Sequence, residues 1–511
     1  MSRLVRRRGT DISLGVARRY ERPARHPHVL RALIALSLLA AAACTDRGLL
    51  APPTLEPLLV HVDEHWFRDA KQRVVILRGV DLSTLERRRE PEGTRAPRDE
   101  DFAWLSSLGF NLIRLPIAWA SVEPQPSVYD HGFMHDQVDP LLRLASDYGM
   151  QVVLAVHQVR WSRCIPGGSG APAWTCADAK AAAPSEQPGW GQPGALAELR
   201  AARAACGFFR DALAPDHRKL REHYVDLWRN LARYYEQDKR IVGFDLLNEP
   251  NPSNCFPPLR FTADVLTPLY AELRQAVREQ GAPQALVYQP AVSRGSALLG
   301  APEAVGPGAV FAPHLFTQTF GAPREGALDA GTLATAYQRA QLLAAALGGP
   351  ALIGEIGADA PADGTFRPAT PEFLAASFDE LDRRLIGGAV WAFVPHGDDP
   401  GAAGGLGING DDVAVLARPY ARRIAGLPLE MGFDSASRTF TFSFRDDPAA
   451  KPHDPSEIFL PAKLTYPEGF AVEVTAGDRW TFDEQNQRLL LYRGAAAQHS
   501  LRVTARAPST P

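Results

Sequence analysis

From Leu58 onward the chain alternates short, β-branched apolar runs with longer stretches whose apolar residues recur at helical spacing. The first kind of run reads as a buried strand, the second as an amphipathic helix packed on it. Strands are predicted at Val74–Leu77, Leu112–Leu115, Gln151–Val156, Val242–Leu246, Ala285–Tyr288, Ala309–Ala312, Ala351–Ile353 and Gly388–Phe393. Helices are predicted at Asp101–Leu108, Asp136–Tyr148, Leu220–Gln237, Leu266–Gln280, Leu333–Leu347 and Thr370–Leu385. Strands separated by crossovers make a parallel sheet, and eight such units close into a barrel. The expected fold is α/β: a (β/α)8 TIM barrel over residues 58–425. Polar residues gather just after the strand ends, the face on which barrels carry their chemistry.

Two stretches break this rhythm. Residues 160–219 are rich in Ala, Pro, Gly and Cys. They are too long for a plain connection and read as a functional loop. After Pro428 the pattern becomes alternating, as in Thr439-Phe-Thr-Phe-Ser-Phe444, Ala471–Val474 and Leu489–Tyr492. Short runs of period two predict a small C-terminal β-sandwich domain over residues 428–508.

Ahead of the barrel, Arg6, Arg7, Arg8, Arg18, Arg19, Arg25 and Arg31 precede an apolar run, Ala32–Ala43, closed by Cys44. The run suits a signal sequence and is too short to span a membrane. Residues 1–44 therefore read as an export segment and the Pro-rich residues 45–57 as a tether. Small residues before Cys44 resemble a bacterial lipobox, which would make Cys44 a lipidated mature N-terminus; cleavage near Ala43 is the other reading. Either way the product is exported, secreted or membrane-anchored. Cys164, Cys176, Cys206 and Cys255 then stand in a disulfide-permissive compartment, where they allow three pairings. Cys164 and Cys176 flank a Gly/Pro-rich loop and are expected to pair. The remaining composition is that of a globular protein: 511 residues, 45% hydrophobic, 22% charged. A net charge of −3 gives no basis for a nucleic-acid partner. No Cys/His spacing suggests a metal, and neither metal nor cofactor is expected.

Four strand ends carry the chemistry. Asp245-Leu-Leu-Asn248-Glu249-Pro250 follows the fourth predicted strand. Ile353-Gly354-Glu355-Ile356-Gly357 is an apolar run meeting a carboxylate. Phe311-Ala-Pro-His314 ends in an imidazole, and Gly388-Ala-Val-Trp391-Ala-Phe393 places an indole at the last strand. Cleavage of a glycosidic bond with retention needs two carboxyl groups about 5–5.5 Å apart, one to protonate the leaving oxygen and one to attack the anomeric carbon. Like charges that close do not both ionise easily, so one keeps its proton. Taken singly, each of these residues is commoner as a salt-bridge or core residue; the ordered set is what points to catalysis.

That set resembles glycoside hydrolases of family 5, over roughly residues 58–425. Arg78-Gly79-Val80-Asp81 is similar to the family's Arg-Gly-Val-Asn, and Gly109-Phe-Asn-Leu-Ile-Arg114 to its second-strand signature. The resemblance implies Glu249 as acid/base and Glu355 as nucleophile. It also implies Arg114, His157, Asn248, His314 and Trp391 as substrate-binding or supporting residues, with Asn248 on the sugar 2-hydroxyl and Trp391 under the ring. His157-Gln158, Gly167–Trp174 and His223-Tyr-Val-Asp-Leu-Trp228 resemble the endoglycoceramidase branch, which cuts glycan from ceramide. That branch implies a glycolipid or oligosaccharide substrate, a lipid surface nearby, a monomer, and a 160–219 loop lining a lipid slot. Two positions depart from it. Val159 stands where the branch has Asp, so one glycan hydrogen bond is expected to be lost or moved. Phe316 stands where the family has Tyr, a donor worth about 1–3 kcal/mol to the transition state. A β-1,4-glucanase, an exo-β-glucosidase and an inactive glycan-binding barrel are the competing readings.

Overall fold

The structure is a computed structural model. It describes residues 60–86, 93–176, 195–252, 255–293, 296–299, 306–316, 330–357, 369–398, 400, 408 and 410–506. The expected export segment 1–44 and tether 45–57 lie outside these, as do residues 177–194 of the long loop.

Eight parallel strand positions form the barrel. They are Arg78–Leu82, Leu112–Ala118, Gln151–His157, Ile241–Asp245, Ala285–Tyr288, a split sixth strand (Ala309–Phe311 and His314–Phe316), Leu352–Gly357 and Gly387–Phe393. Each pairs in parallel with its neighbour in the chain, and the eighth pairs with the first. Pro313 interrupts the sixth strand because it has no N–H to give the ladder. Its first half pairs with the fifth strand and its second with the seventh. Phe311 N donates to Pro350 O at 3.1 Å and Gly354 N to Pro313 O at 3.0 Å, which closes the ring. Leu77, Leu112, Val153, Val242, Val287, Val310, Leu352 and Ala389 fill the barrel floor, so the interior is packed and not a pore.

The helices follow the pattern of the sequence. Pro371–Arg384 shows why. Thr370 caps it by accepting from Phe373 N at 3.3 Å, Pro371 opens it, and Arg383 and Arg384 sit at its negative end. Asp139–Asp147 begins later than expected because a π-turn, Met134–Val138, precedes it.

The first strand corrects the sequence reading. The apolar run Val74–Leu77 is not the first barrel strand. Val74–Val75 belongs to an antiparallel sheet, and the barrel begins at Arg78. Two charged residues, Arg78 and Asp81, make that strand look exposed, yet they are 1% and 0% exposed. Arg78 pairs with Asp382 and stacks over Tyr420; Asp81 pairs with Arg114.

The antiparallel sheet runs in the order Val60–Asp63, Trp66–Asp69, Val74–Val75, Tyr420–Ile424, Ser456–Phe459, Arg488–Tyr492, Arg479–Asp483. A second sheet comprises Leu427–Asp434, Thr439–Arg445, Gln498–Ala505 and Phe470–Val474. Phe440, Phe442, Phe444, Ile458, Leu489 and Leu501 bury between the two, forming the β-sandwich. Its first three strands come from ahead of the barrel, in residues the sequence reading gave to the barrel. Tyr420 Oη donates to Gly109 O at 2.7 Å, tying sandwich to barrel.

The described part of the 158–219 segment makes a small core of its own. Trp161, Trp174 and Phe208 gather around Trp119 with ring centroids 5.5–6.3 Å away. Cys164 bonds Cys176, as expected, and Cys206 bonds Cys255 beyond the fourth strand. Trp161 and Trp174 are thus packed against Trp119, and residues 177–194, which carry much of the loop expected to line a lipid slot, lie outside the described residues.

Candidate active site

The strand ends converge on one guanidinium. Arg114 is paired in register with Asp81 of the first strand and is 1% exposed. Its Nε donates to Asp245 Oδ2 at 2.9 Å and its Nη2 to Asn248 Oδ1 at 2.8 Å. Its Nη1 serves two carboxylates, Asp81 Oδ1 at 2.7 Å and Glu355 Oε1 at 2.6 Å. Charge-assisted bonds of this kind are the strong ones, and the planar fork fixes all four partners at once.

Glu355 reaches the barrel interior through an irregularity. Strict alternation from the inward Leu352 would turn Gly354 inward and Glu355 outward. The ladder shifts register between Ile353 and Ile356, and this bulge re-aims Glu355 inward. It then stands level with His314 of the sixth strand. His314 Nδ1 lies 3.0 Å from Glu249 Oε1 and 3.4 Å from Glu355 Oε2, and an oxygen of each Glu lies within 4.8 Å of the other. His157 Nε2 is 3.7 Å from Glu355 Oε1. Burial pushes the Glu355 carboxyl up, but His314, Arg114 and the hydrogen bond from His157 more than offset it, so it sits well below the usual carboxylate range. Asp81 goes the other way. Burial carries it well above the usual range, Arg114 opposes this, and Glu355 and Asp245 add to the rise.

Glu249 leaves the fourth strand in an uncommon conformation. Its φ is 46°, a left-handed value rare for a residue with a side chain. Gln289 at the end of the fifth strand holds it there, accepting from Glu249 N at 2.8 Å. Gln289 Nε2 donates to Asp245 Oδ2 at 2.9 Å, and Gln158 Nε2 donates to Asn248 O at 3.0 Å. The Glu249 side chain is 36% exposed and that of Glu355 4%, so one carboxyl faces the opening and the other lies at the base.

All seven expected residues meet here. Trp391 lies parallel to His157 at 5.3 Å and 9°, so the imidazole occupies one of its faces. Phe316 packs against Trp391, and its ring has no polar hydrogen to offer Glu355. Val159 contributes backbone only: its N and O bond Ser169 at 3.1 and 2.9 Å, which pins the long loop. The sequence reading did not place Gln289, Asp245, Asp81 and Gln158 among the site residues. Their common signal was available: each is a polar side chain at or just past the end of a barrel strand.

Comparison with known proteins places the chain in a family. The profile of Cellulase (glycosyl hydrolase family 5) matches residues 69–397, and that of the glycoside hydrolase family 5 C-terminal domain matches 418–504. The chain belongs to glycoside hydrolase family 5. A glucosylceramidase of Rhizopus delemar is 28% identical over 240 residues, 37% of this chain and 35% of that protein. An endoglycoceramidase of Hydra vulgaris is 26% identical over 215 residues, 37% of this chain and 41% of that protein. The alignments thus span well under half the length of these relatives. Endo-glycoceramidase II from Rhodococcus sp. superposes with a TM-score of 0.68 at 25% identity, covering 86% of this chain and 100% of that one. Sterylglucosidase 1 of Cryptococcus neoformans shares the fold, with a TM-score of 0.68 at 17% identity over 89% of this chain and 98% of that one.

Proposed function

We propose that the protein is a retaining β-glycosidase that separates a sugar from an apolar aglycone, with Glu355 as nucleophile and Glu249 as acid/base. The observation that carries this is the approach of the two carboxyl groups to within 4.8 Å, bridged by His314. Retention uses a separation of about 5–5.5 Å, whereas inversion needs about 6.5–9.5 Å to admit a water. Glu355, kept anionic by Arg114 and the two histidines, attacks the anomeric carbon as the bond to the aglycone oxygen breaks. Glu249 gives its proton to that oxygen. Glu249 then takes a proton from the water that releases the sugar from Glu355. Asn248 spends one Nδ2 hydrogen on Gln158 O at 3.3 Å and has a second for the sugar 2-hydroxyl.

The aglycone reading is endoglycoceramidase-like cleavage between glycan and ceramide. It is supported by the likeness to proteins named endoglycoceramidase and by apolar residues on the long segment: Leu199 and Leu213 are 62% and 63% exposed there. Two disulfides fit an oxidising compartment. A second reading is release of a single glucose, supported by relatives named glucosylceramidase and by a yeast ergosteryl-beta-glucosidase 49% identical over 73 residues, 14% of this chain and 9% of that protein. Val159 favours it, since the glycan-binding Asp is missing.

A 2-deoxy-2-fluoro glucoside tests the mechanism: mass spectrometry should find the sugar on the Glu355 peptide, and Glu249→Gln should slow hydrolysis of glycosides with poor leaving groups. Label elsewhere, or none, would sink the reading. Products from glycosphingolipids, alkyl glucosides and cello-oligosaccharides then choose the substrate. Intact glycan plus ceramide supports endo-cleavage, free glucose supports the second reading, and turnover restricted to cello-oligosaccharides excludes both.

A further inference from the structure

The site holds more negative charge than its one guanidinium can balance. Asp81, Asp245 and Glu355 all face Arg114, on the first, fourth and seventh strands around the second. Asp245 is fully engaged. It accepts from Arg114 Nε and from Gln289 Nε2. Glu355 accepts from Arg114 and lies close to His157 and His314. Asp81 is 0% exposed and has only its Oδ1 on Arg114 Nη1, the nitrogen that also serves Glu355. Its Oδ2 meets no donor among the described residues. The eighth strand, which flanks the first on its other side, places Val390 and Phe393 beside it and brings no charge. An ionised oxygen buried without a donor is costly, and a neutral one much less so.

We propose that Asp81 is a positioning residue that works as a neutral acid, keeping its proton while Glu355 is the free anion and so leaving the Nη1 charge to the nucleophile. The inference rests on the assignment of Glu355 as the anion. Burial presses Asp81 toward its neutral form, the Arg114 charge opposes this, and the two neighbouring carboxylates add to the rise. Glu355, by contrast, has the cation and the histidines on its side. Two carboxyl groups that share one nitrogen thus divide the work: one is charged and reactive, the other neutral and in place.

The sign of a pH effect decides it. An acid that stays protonated in the fold but ionises in the unfolded chain costs stability as pH rises above about 3.9. Asp81→Asn lacks that slope. The gap in Tm between Asp81→Asn and the parent should therefore widen in favour of the variant from about pH 4 to about pH 7. Infrared difference spectra of parent minus variant should carry the carbonyl band of a protonated acid. A gap that is flat, or that moves in favour of the parent, overturns the inference, and so does a variant that fails to fold at neutral pH or a missing acid band. The fluoro-sugar experiment separates the two ideas: label on Glu355 with a reversed Tm gap refutes only the neutral acid. Absence of label refutes the functional assignment on which it rests.

Discussion

Arg114→Lys is the most demanding test of the site. The substitution keeps the charge and most of the length but replaces a planar fork with a point charge. Arg114 makes hydrogen bonds to Asp81, Asp245, Asn248 and Glu355 from three different nitrogens. A single ammonium on this strand reaches about two of the four. Each charge-assisted bond lost is worth about 1.5–3 kcal/mol, so the pair amounts to roughly 3–6 kcal/mol. At about 1.4 kcal/mol per decade, that corresponds to a fall of between about a hundredfold and ten-thousandfold if it appears in the rate. The bonds to Asp81, Asp245 and Asn248 exist before substrate arrives, so part of the loss should appear as stability instead. Urea unfolding followed by tryptophan fluorescence, together with kcat/KM on an aryl β-glucoside, measures both shares. Retention of the parent's unfolding midpoint with activity within tenfold would falsify the claim that this guanidinium holds the nucleophile.

Other consequences are open to simpler measurements. Gly354→Ala would place a Cβ 2.8 Å from His314 Nε2, so the imidazole must move; kcat should fall by at least tenfold, with KM less affected, and a normal rate would contradict the placement of His314 between the two carboxyl groups. Phe316→Tyr returns a hydroxyl to the wall beside Trp391 and should raise kcat by about fivefold, equivalent to about 1 kcal/mol; an unchanged kcat would show that the missing donor is not what limits the site. The lowered pKa of Glu355 contributes stability that is present above about pH 4.3 and lost as pH falls toward the folded-state value. Glu355→Gln should therefore flatten the acid side of the stability curve, and an unchanged acid slope would contradict the assignment.

The barrel was legible because its strands are apolar runs and its helices show helical spacing with end signals, as at Thr370 and Arg384. The two carboxylates and their supporting residues were legible because each closes such a run. What escaped the sequence shares one cause: tertiary partners override local composition. Arg78–Leu82 reads as a polar segment and is wholly buried, with Arg78 paired to Asp382 and Asp81 to Arg114. The inward turn of Glu355 depends on a bulge in a ladder, which strict alternation contradicts. Gln289 matters only because the strand beside it brings Glu249 N to its side chain. The Cys164–Cys176 pairing was within reach of loop composition and leaves Cys206 for Cys255; what the sequence did not show is that this second bond ties helix Ala195–Phe209 to the segment after the fourth strand.

The strands ahead of the barrel bear on how the chain is born. Val74–Val75 takes its sheet partner from Arg423–Ile424, so the leading hairpin must wait for roughly 350 residues to be synthesised. At about 5–20 residues per second, that is on the order of half a minute with an edge uncovered. Arg73, which bonds Pro455 O at 3.0 Å, and Arg68, which pairs with Asp447 at 2.8 Å, have the same wait. The barrel can assemble around its own strands in that interval, but the sandwich is completed only when the end of the chain arrives. Truncation within the last hundred or so residues would thus strip the opening strands as well as the closing ones, and the damage would appear at both termini.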